Sequence, residues 1–145
     1  KVIESSVNLL HNMLKKSTKN FSIKLTKNSP LTRAYFLKLE QVFINLIKNA
    51  CQSLVDNSKK IEISTTYETE KKQILIKIMD EGIGIKEEDK KYITDPFFTT
   101  RRDQGGTGLG LSISMQIVKE HNGGMEFQSE EGKGTTVTVS LPVNE

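Results

Sequence analysis

Gln41-Val42-Phe43-Ile44-Asn45-Leu46-Ile47-Lys48-Asn49-Ala50 is the stretch on which the fold turns. At roughly 100° per residue, Phe43, Ile47, Ala50 and, further on, Leu54 fall on one side of a helix predicted from about Ala34 to Leu54. Gln41, Asn45, Asn49 and Gln52 fall on the other side, with Lys48 beside them. A solvated helix face ordinarily carries Lys and Glu, which are better helix formers than Asn. Two asparagines four apart forgo that propensity and supply carbonyl oxygens along one stripe. Such oxygens suit magnesium, a hard cation that shares oxygen ligands with substrate phosphates. Read alone, the stripe is equally compatible with a merely polar face.

Working outward, Val2, Ile3, Val7, Leu10, Met13 and Leu14 recur at helical spacing and predict a helix over residues 1–16. Phe21, Ile23 and Leu25 alternate as in a strand, and Asn28-Ser29-Pro30 reads as a turn. Beyond the central helix, strands are predicted at about Lys60–Tyr67 and Gln73–Met79, joined as a hairpin through the polar Glu68–Lys72. Gly82 and Gly84 break the pattern, and Lys86–Tyr92 reads as a short helix. Residues 94–107, with Pro96, Gly105 and Gly106, read as a loop expected to be mobile and to order as a lid over bound phosphates. A third helix is predicted at about Gly108–His121, closed by Asn122-Gly123 as a left-handed cap. Met125 and Phe127 mark one last strand, and Val137, Val139 and Leu141 another. Elements in this order predict a sheet with helices stacked on one face.

A chain of 145 residues with 35% hydrophobic and 27% charged residues is large enough for one core and reads as one domain spanning 1–145. A net charge of +3, with basic residues scattered apart from short pairs such as Lys15-Lys16, argues against a nucleic-acid partner. Cys51 is the one cysteine, which excludes a disulfide framework and a cysteine-built metal site. No apolar run approaches a membrane span and no signal peptide is legible. The expectation is a cytoplasmic domain without direct membrane insertion. Because the chain starts at Lys1, it is also expected to be a fragment of a longer protein.

Two further motifs carry chemistry. Asp80-Glu81-Gly82-Ile83-Gly84 follows an apolar strand. Its carboxylate can accept a hydrogen bond from an exocyclic amine, and its glycines let a flat base approach the backbone. Gly106-Thr107-Gly108-Leu109-Gly110-Leu111 opens a helix, where unpaired N–H groups form a ready phosphate site. The P-loop and dinucleotide fingerprints are missing, which disfavours a Walker ATPase and a Rossmann dehydrogenase.

These stretches, with Asp95-Pro-Phe-Phe-Thr-Thr100 and Gly132-Lys-Gly-Thr-Thr136, resemble the GHKL superfamily of ATP-binding domains. Within it they are most similar to sensor histidine kinases, especially those of the nitrogen-regulation type. The resemblance implies an α+β fold: a two-layer α/β sandwich whose mixed, mostly antiparallel sheet has helices packed on one face. It implies ATP and Mg2+ as ligands. Asn49 matches the asparagine that holds the metal, and Asn45, one turn away, supports the phosphates, so these two are the catalytic candidates. Asp80 matches the aspartate that binds the adenine amino group, with Gly82, Gly84 and Thr135 around the same pocket. Phe97 and Phe98 match the hinge of the lid, while Gly106, Thr107, Gly108, Leu109, Gly110 and Leu111 match the phosphate loop.

The resemblance further implies a response regulator as partner, a homodimeric full-length protein, and a helical phospho-acceptor domain absent from this chain. Two departures stand out. Gln52 replaces a basic residue found in many relatives, so charge neutralisation would fall to Lys48, Arg101 or Arg102. Asn122 stands where relatives often have glycine. The alternatives are a clamp ATPase of the gyrase, mismatch-repair or heat-shock kind, and a nucleotide-binding regulatory module. Clamp ATPases resemble this chain but carry a glutamate at the position of Asn45 to activate water. Neither His11 nor His121 lies in the motif expected of a phospho-acceptor.

Overall fold

Helix α3 (Phe36–Ser53) organises the computed structural model, which describes residues 2–26, 36–96 and 110–143. Leu39, Val42, Phe43, Leu46, Ile47, Ala50 and Cys51 are all buried, a spacing of three and four that covers more than one face. The breadth of that stripe reflects two sets of neighbours. On one side α3 packs on the sheet; on the flanks it meets the other helices.

The N-terminal helix predicted as one piece is two, α1 (Val2–Leu9) and α2 (His11–Ser17). The Leu10 N–H is shared between the carbonyls of Ser6 and Val7, each at 3.2 Å, which tightens the turn there and breaks the run. Ser5 donates to Glu40 near the start of α3, and the Ser17 hydroxyl meets the Cys51 thiol near its end. The pair α1–α2 therefore runs parallel to α3. On the opposite flank α4 (Gly110–Glu120) is antiparallel to α3, with Asn45 bonded to Ser114 and Lys38 paired with Glu120 at 3.2 Å. Helix α4 ends as expected: Asn122 has φ 59°, Gly123 N–H reaches the Val118 carbonyl at 3.0 Å, and Asn122 N–H reaches Lys119 at 2.9 Å.

Among the described residues five strands lie under the helices: β1 (Asn20–Lys24), β2 (Lys60–Glu68), β3 (Gln73–Asp80), β4 (Gly124–Glu130) and β5 (Gly134–Pro142). Their order is β1-β2-β3-β5-β4. Only β1 and β2 are parallel; the other three pairings are antiparallel, which gives the mixed sheet and α+β sandwich expected. Ile61, Ile63, Ile76, Ile78, Val137, Val139 and Leu141 point into the core, alternating with Glu62, Ser64, Lys77, Thr138 and Ser140 on the open face. The short helix expected over residues 86–92 is reduced to a single 3-10 turn at Lys90–Tyr92. Of the lid expected at residues 94–107, residues 97–107 lie outside the described residues. Among the described residues no helix is long and apolar enough to cross a membrane.

Neighbours on opposite faces of β3 test this architecture. Ile78, 1% exposed, should cost about 2–5 kcal/mol when cut to Ala, whereas Lys77→Ala should stay within about 0.5 kcal/mol. Urea melts with an unchanged slope would report both.

Candidate functional site

The polar ridge of α3 is Asn45, Asn49 and Ser53, four residues apart, so its ends stand about 12 Å apart along the axis. At one end, Asn45 is half-buried and its Nδ2 donates to the Ser114 hydroxyl at 3.2 Å. Ser114 is 1% exposed, so that amide ties the ridge to α4 inside the core. The first residue of α4, Gly110, lies directly over Asn45. A Cβ there would overlap Asn45 Oδ1 and come within 2.9 Å of its Cγ and Nδ2. Only glycine lets the start of α4 settle on the asparagine. Leu111 turns inward and packs against the core.

At the other end, Asp80 closes β3 and is 7% exposed. Its Oδ1 accepts from the Ser53 hydroxyl and from Gly82 N–H, both at 2.9 Å. Ser53 is itself buried, and its carbonyl, left open at the end of α3, accepts from Ile83 N–H at 2.9 Å. This close approach accounts for Gly82: a Cβ there would overlap Ser53 Oγ and stand 2.6 Å from the Ser53 carbonyl oxygen. The helix end therefore sets the need for glycine at 82, before any ligand is considered.

The same loop is gripped from its far side. Gly132 N–H donates to the Ile83 carbonyl at 2.7 Å, and Ile85 N–H donates to the Ser129 hydroxyl at 2.8 Å. Gly84, at φ 72°, faces the Glu130 carbonyl. Thr135 stands opposite Asp80 in the β3–β5 register, and its hydroxyl pairs with Ser129 at 2.8 Å. Cys51, also near Asp80, is inert: burial pushes its thiol pKa up, a hydrogen bond from Ser17 opposes this, and the Asp80 charge raises it further.

The structure thus brings Asn45, Asn49, Gly110 and Leu111 to one side and Asp80, Gly82, Gly84 and Thr135 to the other. Phe97, Phe98, Gly106, Thr107, Gly108 and Leu109 lie outside the described residues, as do Arg101 and Arg102. Lys48 is exposed. His121 Nδ1 sits 2.8 Å from the Ile117 carbonyl at the end of α4, a structural contact, and His11 is exposed. Ser53, Ser114 and Ser129 were not foreseen. Ser53 alone had a signal, since it extends the Asn45–Asn49 stripe by one further step of four.

Among the described residues there is no group of three or more His, Cys, Asp or Glu able to hold a metal. Asn45 and Asn49 offer amide oxygens along the ridge. That donor set suits magnesium, which keeps waters and substrate oxygens in its shell.

Comparison with known proteins adds findings of three kinds. The profile of the family described as "Histidine kinase-, DNA gyrase B-, and HSP90-like ATPase" matches residues 35–145. Sporulation kinase E of Bacillus subtilis is 35% identical over 144 residues, 99% of this chain and 19% of the relative. The signal transduction histidine-protein kinase ArlS of Staphylococcus aureus is 39% identical over 127 residues, 85% of this chain and 26% of the relative. The chain thus spans 19–26% of these relatives' lengths. Among solved structures, the catalytic domain of histidine kinase ThkA aligns with a TM-score of 0.81 at 29% identity, covering 97% of this chain and 91% of that one. Full-length ShkA in complex with AMPPNP shares the fold, with a TM-score of 0.83 at 18% identity over 97% of this chain and 29% of that one.

The packing of the loop on the helix end predicts that Gly82→Ala costs about 1–3 kcal/mol through overpacking. Removing the hydroxyl with Ser53→Ala should not rescue it, because the Ser53 carbonyl and Cβ remain 2.6 and 2.7 Å from the new methyl. Thermal melts of the two single variants and the double variant would measure this.

Proposed function

Because the chain belongs to the family of histidine kinase-, DNA gyrase B- and HSP90-like ATPases, and is the catalytic ATP-binding domain of a histidine kinase, we propose how its residues hold the nucleotide. Adenine sits in the hollow by Asp80, whose carboxylate accepts from the exocyclic amine. The triphosphate runs along the ridge toward Asn49, Asn45 and the start of α4. The single observation that carries this reading is the placement of Asp80. It is a buried carboxylate at a strand end, held in one orientation by Ser53 and Gly82, beside the ridge that ends under the N-terminus of α4.

Asn49 would hold magnesium, which when bound neutralises phosphate charge. Gly110 and the residues before it would offer N–H groups to the phosphates. The work of this chain is then positioning and charge stabilisation. The acceptor is a histidine elsewhere in the full-length protein, on a helical domain of a homodimer that passes the phosphoryl group to a response regulator in the cytoplasm. Likeness to nitrogen-regulation sensors rests on Asp95-Pro-Phe-Phe-Thr-Thr100, whereas the relatives found are sporulation and ArlS kinases.

Asn45 favours kinase over clamp ATPase on structural grounds. Its amide donates to the Ser114 hydroxyl, and an amide cannot act as the base that activates water. Steady-state ATP hydrolysis by this chain should therefore stay at background. Brisk turnover would return the reading to the clamp ATPases. By calorimetry in magnesium, Asp80→Asn should weaken ATP binding by about 1.5–3 kcal/mol. GTP, which presents a carbonyl in place of the amine, should bind poorly to the native chain. Equal affinity for the two nucleotides would exclude the Asp80 contact.

A further inference from the structure

Ser53 enters the reading just given only as a donor to Asp80, and its hydroxyl sits where sheet and helix meet. It is 8% exposed and ends α3. Its Oγ is 2.9 Å from Asp80 Oδ1 and 2.8 Å from the Ala50 carbonyl oxygen. One hydroxyl proton serves one acceptor at a time, and the charged carboxylate is the stronger. Gly82 N–H converges on the same Oδ1 at 2.9 Å. Rotation of a carboxylate about its terminal bond is otherwise broad. Two donors on a single oxygen remove that freedom. The Gly82 N–H belongs to the carboxylate's own loop. The hydroxyl ties it to α3, the helix that also carries Asn45 and Asn49.

We infer that Ser53 is a positioning residue for base recognition, holding Asp80 so that its carboxylate meets the exocyclic amine of a 6-aminopurine nucleotide. The inference rests on the proposed contact between Asp80 and the base. Serine meets both demands of the position. It supplies a donor, and it is short enough to lie against Gly82, where even the backbone of residue 53 leaves no room for a methyl group. Alanine at 53 would keep the packing and lose the donor.

The test is calorimetry of the chain with ATP and with purine riboside triphosphate, which lacks the 6-amino group. The native chain should prefer ATP by about tenfold or more, the worth of a hydrogen bond to a charged group. Ser53→Ala should lower ATP affinity about five- to tenfold and change purine riboside triphosphate less than about twofold. Equal loss on both ligands would mean that Ser53 serves only the fold. No loss on either would mean that Asp80 is held without it. Either outcome overturns the inference. Asp80→Asn separates the two levels of the argument. If it abolishes the preference for ATP while Ser53→Ala preserves it, the inference alone fails. If it leaves the preference intact, the base contact is wrong and the inference falls with it.

Discussion

The burial of α3 is the constraint from which the rest follows. Val42 and Ile47 are 0% exposed, and Leu39, Phe43, Leu46 and Ala50 are nearly so, spread round the helix so that sheet and flanking helices each take a share. Burying a side chain of this size is worth about 1.5–3 kcal/mol. Rotating α3 by even one position would expose several of them at once. The helix therefore has one orientation, and the narrow strip bearing Asn45, Asn49 and Ser53 is aimed by apolar packing elsewhere on its circumference. The polar groups do not orient the helix; they are carried by it.

What those groups meet is set by two docking events at opposite ends of the strip. At the Asn45 end, Gly110 lets the first turn of α4 descend onto the amide, and Ser114 receives its N–H. At the Ser53 end, the loop after β3 wraps the helix terminus, with Gly82 against Ser53 and Ile83 N–H on its carbonyl. The β4–β5 hairpin holds the outer side of this loop through Gly132 and Ser129. Buried polar groups are costly unless partnered, and hydrogen bonds made there are stronger than in water. Asp80, enclosed as it is, accepts from both Ser53 and Gly82. The same bonds that satisfy it also give it a direction, the property that the proposed contact with the base needs.

This arrangement also separates the branches of the family in physical terms. Asparagine at 45 is a donor and an acceptor at once, and the structure uses the donor to tie α4 to α3. A glutamate in its place could activate water, and the Ser114 hydroxyl would then have to supply the proton of that link. The amide joins the helices and, on the proposed path of the triphosphate, leaves no base beside the phosphates.

Much of this was legible in the sequence because it is local. The helical period of Phe43, Ile47 and Ala50, the alternation of Val137, Val139 and Leu141, and the Asn122 cap each depend on a few consecutive dihedrals. The asparagine stripe and the Asp80-Gly82-Gly84 turn were visible for the same reason. The break at Leu10, the parallel addition of β1 to β2 and the reason for glycine at 82 were not. Nor were the hydroxyls of Ser53, Ser114 and Ser129, residues that read as ordinary small polar positions until their partners stand beside them. Ser53 meets Asp80 across 27 residues of chain, and Asn45 meets Ser114 across 69. Periodicity carries a residue's own secondary structure, but hydrogen bonds between distant segments depend on how helices and sheet settle against one another. Which hydroxyl orients the carboxylate was decided by that packing alone.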